Sequence, residues 1–184
     1  MRRRAWVGAN GESTPWRETD KFGSSRAQTE DPKAEDFGIR EADVPPIADG
    51  EFLVQNHYLS SDPAASGWIA DAGTYWPRIE IGDTIRAFAV GEIVESRNPH
   101  YSVGEKVMGL FGWQEYAAAS DKHVNLKIAP SDLPLSLYLG VLGLNGFTGY
   151  FGLLDIGAPE AGDTVVVSTA AGAVGSPKSR GAGQ

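Results

Sequence analysis

A run of three valines followed at once by a glycine-rich turn is the feature that most constrains this chain. Residues 163–169 read DTVVVST, and residues 170–176 read AAGAVGS. A short apolar run is typical of a buried parallel strand, and an A-x-G-x-x-G turn after such a strand is typical of dinucleotide-binding folds. Gly172 would let the backbone approach a pyrophosphate, and Gly175 would let the next helix pack close to the strand. An ordinary strand-to-helix corner is the alternative interpretation.

A helical periodicity precedes this predicted strand. Four large apolar residues recur at helical spacing and form one face: Phe147, Tyr150, Phe151 and Leu154. The pattern predicts an amphipathic helix with Asn145 as its N-cap and Gly157 just past its end. A second, shorter helix is predicted over residues 133–140, capped by Ser131 or Asp132.

Residues 37–130 have the pattern of short β-strands. Alternating or apolar runs punctuated by glycine and proline predict strands over 37–44, 51–60, 84–96 and, as two strands, 104–120. Phe52, Val54 and Tyr58 are expected on one face of their strand, and Gly91 is expected at a bulge or bend. The stretch 61–73 is expected to be a loop. Strands at this spacing predict a small antiparallel barrel.

The two ends of the chain lack such patterns. Residues 1–36 are predicted to be poorly ordered, with a short strand over 5–7 as an alternative for that part. Residues 177–184 have no apolar face. We hypothesise that the abrupt changes at 8–36 and at Pro177 reflect a shift of reading frame or an error in the gene model.

Composition excludes several classes of function. The chain has a net charge of −8 and no cysteine, so a nucleic-acid partner, a disulfide framework and a Cys-ligated zinc site are not expected. Its histidines, His57, His100 and His123, are too far apart for a dedicated metal site. Each is expected to be solvated or packed rather than catalytic. No signal peptide and no membrane span are recognised, which predicts a cytoplasmic protein.

Three stretches together resemble one family. Residues 58–96, 105–118 and 139–176, the last reading LGVLGLNGFTGYFGLLDIGAPEAGDTVVVSTAAGAVGS, resemble the zinc-independent medium-chain dehydrogenase/reductases. Within these, they are most similar to the NADP-dependent alkenal/one oxidoreductases, which include the leukotriene B4 12-hydroxydehydrogenase/prostaglandin reductases. The resemblance implies a GroES-like antiparallel β-barrel over 37–130 and the start of a Rossmann-type α/β domain over 131–184.

The same resemblance implies a reaction and a cofactor. The reaction would be hydride transfer from NADPH to the C=C bond of a small enone or alkenal, and full-length members would be homodimers. Gly172, Ala173, Val174 and Gly175 match the pyrophosphate turn, and Thr148 is a weaker cofactor candidate, because its hydroxyl could equally satisfy its own helix. No catalytic residue and no metal ligand are assigned.

The chain also departs from the family pattern. Ala64 and Ser66 stand where relatives carry bulky and basic side chains, and Phe88 is more readily explained as barrel core than as a substrate contact. The residues that bind the 2′-phosphate of NADP in the family lie beyond Gln184, so weak or absent NADPH binding is expected. A non-catalytic GroES-like fragment and a quinone reductase of the same superfamily are the alternative functions. Trp68, Tyr75 and Trp76 are expected either to line a cleft or to cover the barrel mouth.

Overall fold

In the computed structural model of the chain, the described residues are 2–8, 37–69, 76–80 and 82–177. The chain divides into two compact units, Met1–Pro130 and Ser131–Gln184. Most of the segment predicted to be poorly ordered, residues 9–36, lies outside the described residues, as do residues 178–184 of the tail.

The first unit contains two antiparallel sheets. Strand β1 (Arg2–Gly8) pairs with β2 (Phe37–Asp43). The larger sheet has five strands: β3 (Phe52–Leu59), β4 (Ala89–Ser96), β5 (Lys106–Gly109), β6 (Tyr116–Ala119) and β7 (Val124–Ile128). Their order is β6-β3-β4-β5-β7, so β6 and β7 lie at opposite ends although only a 3₁₀ turn, Asp121–His123, separates them in sequence. The predicted antiparallel strands are confirmed.

One face of the five-stranded sheet carries the main core. Its fully buried side chains include Phe52 and Val54 of β3. They pack with residues of three other strands and the loop after β5: Ala89, Ile93, Val107, Phe111, Ala117 and Ala119. The expectation that Tyr58 shares this face is wrong, because Tyr58 is 49% exposed. A bulge between Asn56 and Tyr58 shifts the register against β4, and an extra residue reverses the alternation of side chains.

Gly91 lies opposite this bulge, as its position within a strand pattern predicted. A Cβ atom at Gly91 would lie 2.2 Å from the carbonyl oxygen of Gln55. The two strands can therefore approach this closely only where one of them lacks a side chain.

The stretch between β3 and β4 forms a second core. Residues 64–69, expected to be loop, instead form a short helix, α1 (Ala64–Ile69). The carbonyl of Asp62 accepts a hydrogen bond from the N–H of Ala65, which starts the helical turn. Trp68 of α1 is buried with Ile79 and Ile85, and this burial gives a six-residue helix the tertiary support that its length alone cannot provide.

Helical segments dominate the described part of the second unit. A 3₁₀ helix spans Leu135–Leu139, and α2 (Leu144–Tyr150) continues into one π-helical turn, Phe151–Ile156. The predicted N-cap Asn145 is wrong: Gly143, in an extended conformation, is the N-cap. The side chain of Ser131 accepts a hydrogen bond from the N–H of Leu133 ahead of the 3₁₀ helix and does not cap it. Gly157 ends the helical segment as predicted.

The predicted buried strand over 163–169 is not observed. Residues 163–167 belong to no sheet, and Val166 is 89% exposed. A strand needs a hydrogen-bonded neighbour, and the described residues of the second unit contain no other strand beside it. Among the described residues, no helix is long and apolar enough to cross a membrane.

Candidate functional site

The glycine-rich turn follows the valine segment directly. The N–H of Gly172 donates to the carbonyl of Thr169 at 2.8 Å, and the N–H of Ser176 donates to the carbonyl of Gly172 at 3.0 Å. The chain becomes helical at residue 175. The four candidate residues 172–175 therefore lie together on the bend between the valine segment and the start of a helix.

Gly175 is the most constrained residue of this turn. It is buried, and a Cβ atom there would lie 2.1 Å from the carbonyl oxygen of Thr169. Such a distance is far inside van der Waals contact, so any side chain at this position would push the helix start away from the segment before it. The geometry meets the requirement that the last glycine of a dinucleotide turn allows close packing.

Gly172, the other glycine of the pattern, lies less tightly. A Cβ atom at Gly172 would be 3.1 Å from Cγ2 of Thr169, a tight contact that the Thr169 side chain would have to relieve by shifting a few tenths of an ångström. Thr169 itself has a positive φ of 54°. A β-branched residue rarely adopts this conformation, and strained backbone of this kind is concentrated at functional turns.

Backbone donors are available on the turn. The N–H groups of Gly172 and Ser176 donate hydrogen bonds within the turn. The N–H groups of Ala173 and Val174 have no hydrogen-bond acceptor among the described residues. Unpaired N–H groups in the first turn of a helix can bind an anionic oxygen.

Thr148 lies on α2 rather than on the turn. Its hydroxyl donates to the carbonyl of Leu144, one turn earlier, at 2.7 Å, and the residue is exposed. This hydrogen bond is the one expected if Thr148 only satisfies its own helix. No hydrogen bond joins Thr148 to the glycine-rich turn among the described residues.

An apolar groove of about 460 Å³ connects α2 with the residue that follows the turn. Its walls include Val141, Phe147, Phe151, Leu154 and, after the turn, Pro177. The predicted apolar helix face is therefore present, but its four large side chains are exposed: Phe147, Tyr150, Phe151 and Leu154.

The positions that depart from the family pattern lie at the start of α1. The hydroxyl of Ser66 donates to the carbonyl of Pro63 at 2.7 Å, and Asp62 accepts a hydrogen bond from the hydroxyl of Ser60 at 2.6 Å. The hydroxyl of Ser66 and the carboxylate of Asp62 thus form hydrogen bonds within the turn that begins α1. Phe88 is half-buried, and its carbonyl accepts a hydrogen bond from the N–H of Ser60.

The three histidines lie apart. His57 is exposed, and Nδ1 of His100 lies 3.4 Å from a carboxylate oxygen of Asp121 at the surface. Nδ1 of His123 accepts a hydrogen bond from the N–H of Ser120 at 3.0 Å. Burial, and secondly the nearby Lys122, lower the pKa of His123. Within the described part of the chain, no group of three or more metal-binding side chains lies together.

One arrangement in the first unit was not foreseen from the sequence. The guanidinium carbon of Arg86 lies 5.5 Å from the ring centre of Trp68 and 5.1 Å from that of Trp76. The sequence singled out both tryptophans, but Arg86 carries no local signal except its position between buried Ile85 and Ala87. Tyr75 lies outside the described residues.

Comparison with known proteins assigns the first unit. Residues 24–126 match the sequence profile described as the N-terminal domain of oxidoreductase. Over 145 residues the chain is 43% identical to the NADPH-dependent curcumin reductase of Escherichia coli (strain K12), a match covering 78% of this chain and 41% of the relative. It is 35% identical over 148 residues to the 2-alkenal reductase (NADP(+)-dependent) of Nicotiana tabacum, covering 78% of this chain and 43% of the relative.

A solved structure also matches. CurA from Vibrio vulnificus, crystallised in complex with NADPH, superposes with a TM-score of 0.74 at 37% sequence identity, covering 95% of this chain and 47% of that chain. The chain thus spans about two-fifths of the length of the curated relatives it matches.

Proposed function

Because the chain belongs to the oxidoreductase family whose N-terminal domain matches residues 24–126, we propose that it forms the N-terminal part of an NADP-dependent reductase. The proposed substrate is a small α,β-unsaturated aldehyde or ketone, and the proposed reaction reduces its C=C bond. The observation that carries the proposal is the match to the NADPH-bound CurA chain, at 37% identity over 95% of this chain. The names of two relatives, an NADPH-dependent reductase and a 2-alkenal reductase, support the same reaction.

The fold proposed for this function has a GroES-like barrel over 37–130 and a Rossmann-type domain that begins at 131. The five-stranded antiparallel sheet of the first unit supports the barrel. The division of the structure between Pro130 and Ser131 supports the domain boundary. The amphipathic α2, followed by the valine segment and a glycine-rich turn, is the order of elements expected at the start of a cofactor domain.

The turn at 172–175 fits the pyrophosphate of NADP(H). The missing side chain at Gly175 allows close packing against Thr169, and the N–H groups of Ala173 and Val174 are available as donors to phosphate oxygens. When bound, NADPH would supply the hydride for the reduction. Gly172 to Gly175 would hold the cofactor's pyrophosphate and thereby orient it, and the hydroxyl of Thr148, already bonded to Leu144, is a weaker second contact.

The affinity of the chain for NADPH tests how much of the cofactor site is supplied by residues 172–175. The 184-residue chain should bind NADPH with a dissociation constant above a millimolar and should not reduce enones. The contacts to the 2′-phosphate are charge-assisted hydrogen bonds, worth about 1.5–3 kcal/mol each. The loss of several such bonds is enough to convert a micromolar site into a millimolar one, and the chain spans only about two-fifths of the length of its relatives. The measurement is a fluorescence titration with NADPH, and low-micromolar binding with turnover would contradict this expectation.

A chimaera tests the reaction itself. Residues 1–176 of this chain would be fused to the remaining sequence of the Escherichia coli curcumin reductase, which is 43% identical over the shared part. The fusion should oxidise NADPH in the presence of a 2-alkenal. Gly172→Asp should abolish this activity, because a carboxylate would repel the pyrophosphate. Ala161→Asp, which adds the same charge at an exposed turn residue without a positive φ, is the matched control. Oxidation with a quinone but not with an alkenal would favour a quinone reductase instead.

A further inference from the structure

Arg86 lies against two indole rings beside the second core of the first unit. Its guanidinium carbon lies 5.5 Å from the Trp68 ring centre and 5.1 Å from the Trp76 ring centre. The two indoles are themselves 6.3 Å apart. One guanidinium nitrogen, Nη1, donates to the carbonyl of Pro77 at 3.0 Å. Contacts with two rings and one backbone hydrogen bond restrain the position of the cation.

Most of the hydrogen-bonding capacity of this cation is unused. A guanidinium group has five N–H donors, and only the bond to Pro77 is found for Arg86 among the described residues. Within the same part of the chain, no carboxylate forms a salt bridge with Arg86. Arg78, the next residue after Pro77, has a buried Nε with no hydrogen-bond partner. A buried donor without an acceptor is unfavourable, and this applies to Nε of Arg78. Arg86 is only partly buried, and its remaining N–H groups have no acceptor among the described residues.

Another cation on an aromatic ring in this unit is satisfied internally. Nζ of Lys127 lies 5.3 Å from the ring centre of Tyr101, and it forms a salt bridge of 2.8 Å with Glu105. The chain has 24 acidic residues and 16 basic ones, so carboxylates are abundant. The absence of one beside Arg86 among the described residues therefore distinguishes this cation from Lys127.

We propose that Arg86, with Trp68 and Trp76, forms a binding site for the carboxylate of a ligand with an apolar or aromatic body. The planar guanidinium edge matches the two oxygens of a carboxylate, and the indoles provide apolar surface beside it. Arg78 contributes a second cationic group close by in sequence. The further step, that this ligand is a substrate carrying an acid group in addition to its enone, rests on the proposed function. The binding of the carboxylate does not.

Calorimetric titration of the 184-residue chain tests the site without any turnover. The probes are benzoylpropionate, a saturated keto acid, and its uncharged methyl ester. The acid should bind at least about tenfold more tightly than the ester, as expected for one charge-assisted hydrogen-bonded pair. Equal affinity of acid and ester for the wild-type chain would overturn the proposal without any variant.

Substitutions then locate the cation. Arg86→Met should weaken binding of the acid by about 10- to 100-fold and leave the ester within about twofold. Arg97→Met, which removes the same charge from an exposed position at the end of β4, is the matched control and should leave both affinities unchanged. An equal loss in Arg97→Met would show a general charge effect and would overturn the site.

Two further measurements complete the test. If circular dichroism shows that Arg86→Met does not fold, Arg86→Lys decides: it keeps the charge but loses the planar donor pair, so the acid should bind about 3- to 10-fold more weakly. No change in this variant would overturn the role of the guanidinium.

Inorganic phosphate at equal ionic strength should not displace the acid, because it lacks the apolar body; displacement would contradict the role of the indoles. None of these results depends on NADPH, so failure of the proposed reductase function would leave them unaffected.

Discussion

The two units differ in how far they bury their large apolar side chains. In the first unit, Phe52 and Val54 are fully buried in a sheet whose five strands are paired with one another. In the second unit, Phe147 is 50% exposed and Val166 is 89% exposed. An antiparallel sheet can complete its hydrogen bonds and its core within one stretch of chain, whereas an amphipathic helix is buried only when another element packs against its apolar face.

The largest difference between the units should be seen when a phenylalanine is removed from each. Phe52→Ala should destabilise the first unit by about 3–5 kcal/mol, because it leaves a cavity in a filled core. Phe147→Ala should change stability by less than about 0.5 kcal/mol, since the side chain is half exposed. Urea unfolding followed by circular dichroism measures both. Similar losses in the two variants would show that Phe147 is buried in solution.

Two glycines extend the comparison to the backbone. Gly91→Ala should lower the stability of the first unit by about 2 kcal/mol or more, because its Cβ would lie 2.2 Å from a carbonyl oxygen in a central strand. Gly175→Ala creates an equally short contact, 2.1 Å from the carbonyl oxygen of Thr169, but it lies outside the sheet.

Hydrogen exchange distinguishes the two effects. Gly91→Ala should speed exchange throughout β3 and β4, and Gly175→Ala only around residues 169–177. Exchange that increases across the sheet in Gly175→Ala would mean that the two units are energetically coupled.

Both predictions rest on features that were partly visible in the sequence. Alternation and glycine punctuation predicted the strands of the first unit, because a half-buried sheet imposes a period of two. Helical spacing predicted the apolar face of α2 and the glycine pattern predicted the turn at 172–175. The bulge at Asn56 was not predictable, since it depends on how β3 pairs with β4.

Other sequence predictions were wrong because they, too, depend on tertiary partners. The short helix α1 forms because Trp68 is buried against Ile79 and Ile85, which lie later in the chain. The valine run reads as a buried strand, but a strand forms only beside another strand. The contact of Arg86 with two indoles likewise joins residues far apart in sequence. Local patterns specify periodicity and turns, whereas partners are set by the tertiary fold.

A smaller loss of stability is expected when the side chain of Asn98, which joins turns of the first unit by hydrogen bonds, is removed. Nδ2 of Asn98 donates to the carbonyl of Gly50 and to a carboxylate oxygen of Asp121, both at 2.7 Å, and its Oδ1 accepts from the N–H of His100. Asn98→Ala should cost about 1–3 kcal/mol, because it removes three hydrogen bonds made by a buried side chain. Thermal unfolding measures this. Asn145→Ala, a half-buried asparagine in the second unit, is the control and should have little effect.

The smallest expected effect concerns pH. Burial lowers the pKa of His123 below its ordinary value of 6.5, so the unfolded chain takes up a proton more readily than the folded one. Stability should therefore be unaffected above the unfolded pKa and should fall as the pH drops below it. His123→Gln, which retains an acceptor for the N–H of Ser120, should reduce this acid-dependent loss. Urea midpoints measured between about pH 8 and pH 5 test it, with the exposed His57→Gln as control.

The order of strands in the five-stranded sheet determines its curvature. Strands β6 and β7 lie at its two ends, and in a flat sheet four strand spacings of about 4.8 Å would place them roughly 19 Å apart. Ala119 and Ser96 both pair with Phe52, so Ala119 is level with Ser96 along the strand direction. Val124 and Ala89 both pair with Gly109, so Val124 is level with Ala89, at the other end of β4. This displacement along the strand direction, about 3.3 Å per residue, increases the flat-sheet distance to roughly 30 Å. The chain from Ala119 to Val124 can span at most about 18 Å. The sheet must therefore coil until its first and last strands approach each other, and the short Asp121–His123 turn acts as the covalent tie that sets how tightly it closes.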